Sequence, residues 1–177
     1  MMCYGGRDLA SSFRTVRKNT LQIAQEIPED QYGFSAAPGV KTVGQILTHM
    51  ALSYRFQFAI HAEQKVATLV GFDFPGLMGR ISTEEQQVRT KADVIALLTR
   101  NGEQFATWAD GLSDEFLCER VAMHPGQEPA SKSRLEMIMG VKEHEMHHRG
   151  QLMLVERLLG MTPHLTRQMQ ERMAARP

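Results

Sequence analysis

Cysteine is nearly absent from this chain. Its two copies, Cys3 and Cys118 among 177 residues, belong to no Cys-x-x-Cys pair. That argues against a disulfide framework and against a thiolate zinc site, and Cys118, following Phe116-Leu117, reads as a small apolar filler. An excess of charge of either sign is missing too. Twenty basic residues balance twenty acidic ones with no basic stripe, so the electrostatic footprint of a nucleic-acid-binding protein is lacking. No stretch reaches the ~18–20 apolar residues of a membrane span, and the N-terminus carries no apolar run of the signal-peptide type. A soluble, cytoplasmic protein without a membrane partner is expected. Finally, no segment alternates apolar and polar residues convincingly enough to read as a strand.

What is there is helical periodicity. Leu9, Phe13, Val16, Thr20, Ile23 and Ile27 recur at steps of three and four and predict a helix over 7–27, ended by Pro28. Thr42 and Gln45 form a capping box that opens a second helix over 43–68. That helix is apolar on two sides, with Val43, Leu47, Met50, Tyr54, Phe58 and His61 on its main stripe and His49 on the opposite side. Residues 71–79, centred on Pro75-Gly76, read as an apolar loop that packs on something, as a core cover or a pocket wall. A third helix covers 91–111. Either Ser82 or Thr90 could start it, since each has an acidic residue three positions on. Residues 113–130 form a long mixed connection. Ser133 with Glu136 caps a fourth helix that runs to Leu159 and stops at Gly160, and a short helix comes after Pro163. The expected fold is all-α: a four-helix bundle with a short extra C-terminal helix, in a single domain over 1–177.

Chemistry concentrates in His144-Glu145-Met146-His147-His148-Arg149-Gly150-Gln151, which holds three of the chain's seven histidines. On a helical wheel, His148 falls about 20° and His144 about 60° from the apolar stripe through Val141, and His147 about 120° away. His144 and His148 therefore point inward, one turn apart, and two neutral imidazoles so placed can grip one divalent ion. A lone histidine on an apolar face is usually a satisfied core residue. A pair at this spacing is harder to dismiss, because each buried unpartnered group costs about 1–3 kcal/mol. Sites that keep an open position typically have three protein ligands. The third has to come from elsewhere, with His49, His61, His124, His164 or a carboxylate as candidates. The wheel favours His61 and does not select His49. Glu145, about 40° from the stripe on its other side, is a candidate acceptor for a ligand histidine N–H or for Arg149, or else a surface ion-pair partner. Arg149 and Gln151 are candidates to orient ligands or bind an anion.

The stretch Thr42-Val43-Gly44-Gln45-Ile46-Leu47-Thr48-His49-Met50, together with the run from His144 to Gln151, resembles the DinB / YfiT-like family of metal-binding four-helix bundles. That family pairs a histidine on its second helix with His-x-x-x-His on its last long helix, commonly followed by Arg-Gly-Gln. The resemblance covers nearly the whole chain. It implies His49, His144 and His148 as ligands of a divalent metal, zinc or nickel; Glu145 and Arg149, from their places on the wheel, are the candidate catalytic helpers. It also implies an enzyme acting on small molecules, a thiol S-transferase using a low-molecular-weight thiol or a hydrolase, in stress response or detoxification, and a homodimer. Two other readings compete. His144-Glu145-x-x-His148 matches the zinc-protease pattern, but no strand is seen that could align a peptide. A non-catalytic, metal-stabilised binding or sensor bundle would need a closed four-ligand site, with His61 or His124 as the extra ligand.

Overall fold

The computed structural model describes residues 4–175. Cys3 lies outside them. Four long rods form a bundle: α1 (Gly6–Glu26), α2 (Val43–Leu52) continued by α3 (Tyr54–Phe58), α5 (Lys91–Asp110) and α7 (Arg134–Leu158). The shorter α4 (Phe74–Glu85), α6 (Asp114–Cys118) and α8 (His164–Ala174) lie outside this frame. No helix among the described residues is long and apolar enough to cross a membrane.

The helix starts obey local chemistry. Thr42, Thr90 and Ser133 each cap a helix, and the side chain three positions on returns to the cap's own N–H. Thr90, not Ser82, thus opens α5. Gly160, with φ at +75°, sits just beyond α7 in the left-handed conformation that ends it. Along α1, Leu9, Phe13, Val16, Thr20 and Ile23 are buried as the periodicity predicts. The most extensive helix–helix contact is between α1 and α5. A Cβ on Gly6 would stand 2.5 Å from the Ala109 carbonyl, so only glycine allows that end of the contact to close.

Four expectations are corrected. The helix predicted over 43–68 is interrupted. Ser53 turns its hydroxyl onto the Met50 carbonyl at 3.2 Å, and the chain widens into a π-helical turn over Ala59–Glu63. A serine bonded back to its own helix bends it, and a π turn rotates the residues after it. Residues 71–79 are not a loop throughout. Asp73 caps α4 by accepting from Gly76 N at 2.9 Å, and Pro75 occupies the first turn, where its missing N–H costs nothing. Also, a two-stranded antiparallel hairpin exists, β1 (Arg120–Ala122) with β2 (Ser131–Ser133), pairing Val121 with Lys132. Strands of three residues are too short for alternation to register. Buried Val121 packs with Ile60, Leu69 and Met137. Cys118 is exposed at the end of α6 rather than filling the core.

Beside the small cluster around Val121, the core has one large cluster around Leu47, Met50, Leu98 and Leu152 and another around Phe13, Tyr54, Phe105 and Ile138. Arg17 touches both. Its guanidinium holds the Glu145 carboxylate through bonds of 2.8–3.1 Å, with side-chain exposures of 6% and 1%. It also donates to the carbonyls of Leu98 at 2.6 Å and Met50 at 3.3 Å. One ion pair therefore ties all four rods together. Gly102 makes room for it, since a Cβ there would lie 2.9 Å from Arg17 Cγ.

Candidate metal centre

α2 and α7 pack against each other, and their contact brings residues 95 positions apart into one site. His49 Nε2 stands 3.1 Å from His144 Nε2, which stands 3.1 Å from His148 Nε2. Among the described residues, these three form the one His/Cys/Asp/Glu group close enough to hold an ion. Two nitrogens bound at ~2.0–2.1 Å to one metal would lie about 2.9–3.4 Å apart across octahedral to tetrahedral angles, so the spacing fits.

The outer ring nitrogens determine where the lone pairs go. His49 Nδ1 is 2.6 Å from Glu85 Oε1, at the end of α4. A carboxylate only accepts, so Nδ1 carries the proton and Nε2 presents its lone pair inward. His148 Nδ1 donates likewise to Gln151 Oε1 at 2.8 Å. His144 Nδ1 is buried without a partner. Two, and with His144 as the same tautomer three, lone pairs then face one another at 3.1 Å, an arrangement that a shared cation resolves. The three histidines thus fit a divalent metal.

Burial disfavours the protonated forms of His144 and His148 and leaves their ring nitrogens free to bind. Burial, and after it the neighbouring His148 and His49, pushes His144 down to about 4, and burial pulls His148 below its ordinary value. Burial alone would raise the Glu85 carboxyl, but the His49 hydrogen bond, its charge and Lys41 Nζ at 3.2 Å together hold it below the usual range.

The other predicted residues go elsewhere. Glu145 turns away from the cluster, its carboxylate taken up by Arg17, so it receives no hydrogen bond from a ligand histidine. Arg149 is half-buried one turn further on and makes no hydrogen bond to the three histidines. His147 is exposed and accepts from Gln151 Nε2 at 3.1 Å. His61, the wheel's choice, is fully buried on the π turn. It donates through Nε2 to Gln57 Oε1 and accepts at Nδ1 from Arg134, at 2.9 and 3.0 Å. His124 is exposed beside the hairpin, and His164 is buried at the start of α8. Sequence reasoning misses Glu85. Its one local signal, the three-residue spacing from Ser82, points to helix capping rather than to a histidine partner.

A cavity of about 300 Å³ opens beside the cluster, with His49 and His144 in its wall. Fold and site together define a helical bundle protein with a three-histidine candidate metal centre. The chain belongs to the DinB superfamily, whose family model matches residues 12–152. It is 22% identical over 163 residues to the uncharacterized protein YjoA of Bacillus subtilis, covering 91% of this chain and 94% of that one. The crystal structure of YjoA, a DinB-like protein, superposes with a TM-score of 0.63 at 20% identity, covering 87% and 93% of the two chains. A DinB-like protein from Bacillus cereus gives 0.65 at 17% identity, covering 88% and 93%. YfiT from Bacillus subtilis, described as a probable metal-dependent hydrolase with an unusual four-helix bundle topology, gives 0.65 at 14% identity, covering 89% of each chain. These structural likenesses establish the fold.

Proposed function

We propose that this protein is a metal-dependent enzyme acting on small molecules, with His49, His144 and His148 holding one zinc or nickel ion. The observation that carries the reading is the convergence of three Nε2 atoms at 3.1 Å spacings, two of them aimed by acceptors on Nδ1. A divalent ion held by three neutral imidazoles would supply a Lewis-acidic position able to lower the pKa of a bound water or thiol. The protein's own contribution is to disfavour protonation of His144 and His148 by burial and to fix the tautomers of His49 and His148 through Glu85 and Gln151.

Two chemistries suit such a centre, hydrolysis and transfer of a low-molecular-weight thiol to an electrophile. YfiT's description favours the first and the family resemblance favours the second. The cavity beside His49 and His144 favours turnover over a closed, purely structural or sensing site. We extend the reading to a cytoplasmic homodimer. Leu154 and Leu158, one turn apart on α7 and each 57% exposed, give such pairing an apolar face, which light scattering of the Leu154→Glu variant tests.

The deciding experiment is metal content by elemental mass spectrometry, wild type beside His148→Ala. About one ion per chain, lost in the variant, supports the centre and justifies ester-hydrolysis and thiol-transfer assays. Full metal content in His49→Ala, His144→Ala and His148→Ala alike overturns it.

A further inference from the structure

The cavity beside the histidines differs from others of similar size on this molecule. Those of about 320 and 350 Å³ elsewhere are lined in part by Lys41 and Glu85 or by Arg55, Glu63 and Arg80. This one has no Lys, Arg, Asp or Glu in its wall. Phe56, Phe74, Met78, Ile81 and Val141 provide most of it. Of its two non-histidine polar side chains, Ser53 donates to the Met50 carbonyl and Gln57 Oε1 accepts from His61, which leaves the Gln57 amide nitrogen as one uncharged donor in the wall. Phe74 and Met78 stand at the mouth, 46% and 37% exposed, and Phe74 meets Phe56 edge-to-face with ring centroids 5.3 Å apart.

A second observation concerns a residue on the rim of this space. Gly140 lies inside α7, one turn before His144, and lines the cavity. Glycine in a helix interior weakens the helix, and the usual reason for keeping it is a close neighbour. Here a Cβ would meet nothing within 4 Å. Gly140 is thus a lining position with open space beside it, where a larger side chain has room.

We infer that this cavity is the specificity subsite of the centre, and that it takes an uncharged aryl or short alkyl group attached to the reacting atom of a small-molecule substrate. The inference rests on the metal-dependent reading above for its polar end only. An apolar cavity of about 150 Å³ is enough for benzene. Some 300 Å³ therefore holds one ring or a short chain and a connecting group, with the polar end directed toward His49 and His144. Charged or heavily hydroxylated groups would lose hydration here and find no charged partner and too few polar ones to replace it.

The test compares acetohydroxamate with hexanohydroxamate on the zinc-loaded protein by calorimetry. The longer chain should bind at least ~10-fold more tightly, since each methylene leaves water for an apolar wall. In Gly140→Leu, which fills the cavity while favouring the helix, that ratio should collapse to about twofold or less with zinc content and melting temperature retained. Equal affinities in the wild type, or an unchanged ratio in Gly140→Leu, overturn the inference. If the protein retains no zinc, the metal reading fails and the subsite is tested alone. Toluene titrated into metal-free protein should shift the Met78 methyl resonance saturably in the wild type and not in Gly140→Leu. No shift in the wild type overturns the subsite as well.

Discussion

Replacing Glu85 by Gln tests whether the site is oriented from outside its ligands. The substitution keeps an acceptor near His49 Nδ1 but removes the charge that favours the Nδ1–H tautomer and reinforces Nε2 as a donor. Groups in this position typically contribute 10- to 100-fold in metal affinity, about 1.4–2.8 kcal/mol. The local geometry places the expected loss near the lower end. The contact is short at 2.6 Å, but side-chain exposures of 22% for His49 and 15% for Glu85 leave it partly screened, and Lys41 shares the carboxylate. A weakening of about tenfold is expected, measured by competition for zinc against a fluorescent chelator at about pH 7.5. Glu85→Ala should lose more, because a half-buried imidazole N–H is then left without an acceptor. In a His49→Ala background the Glu85 substitution should have no further effect on affinity. Affinity within twofold of wild type for Glu85→Gln, or an undiminished effect without His49, would refute the reasoning.

Other consequences can be checked with stability and pH. Glu145→Gln leaves the Arg17 charge buried and uncompensated, so a loss of about 3–5 kcal/mol is expected in urea unfolding, with Arg17→Met/Glu145→Met recovering part of it. Were Glu145 catalytic instead, that variant would lose activity with its unfolding midpoint unchanged. Glu156 is fully buried with neither oxygen bonded, and burial, then the nearby Glu26 carboxylate, raises it from 4.5 to about 7. The folded state therefore favours its protonated form, and stability declines as pH rises from about 4.5 through 7. Glu156→Gln should remove that decline and gain up to about 3 kcal/mol over wild type at about pH 8, whereas parallel pH profiles for the two proteins would contradict the assignment. His61 is pushed down to about 3, by burial first and by Arg134 second. Below about pH 6.5 the unfolded chain takes up a proton that the folded protein refuses, so stability falls as pH drops toward 3. Between about pH 7 and 5 this amounts to about 2 kcal/mol, and His61→Gln should flatten that share of the acid loss in denaturant titrations.

Much of this molecule is determined within single helical turns. Thr42 with Gln45, Thr90 with Asp93 and Ser133 with Glu136 close their capping boxes over three positions, so the starts of α2, α5 and α7 are legible directly along the chain. The spacing of His144 and His148 places two ligands on one face of α7 for the same reason. Local signals also mislead. Pro75-Gly76 reads as a turn wherever it occurs, and only the Asp73 cap makes it the first turn of α4, whose far end carries Glu85. The wheel extends α2 as a straight helix and so prefers His61. The break at Ser53 and the π turn after it depend on what those residues pack against, and His61 meets Arg134 instead.

The composition, the helix periods and the paired histidines were thus settled by the amino-acid sequence alone, because they depend on neighbours no more than a turn or two away. Three things were decided only by the tertiary structure: the meeting of His49 with the pair, the acceptor behind it, and the burial of Glu145 against an arginine 128 residues distant. Each requires two helices to dock in one register. That register is set by the summed burial of many apolar side chains and by the Arg17 bonds across four rods, not by any motif short enough to be recognised along the chain.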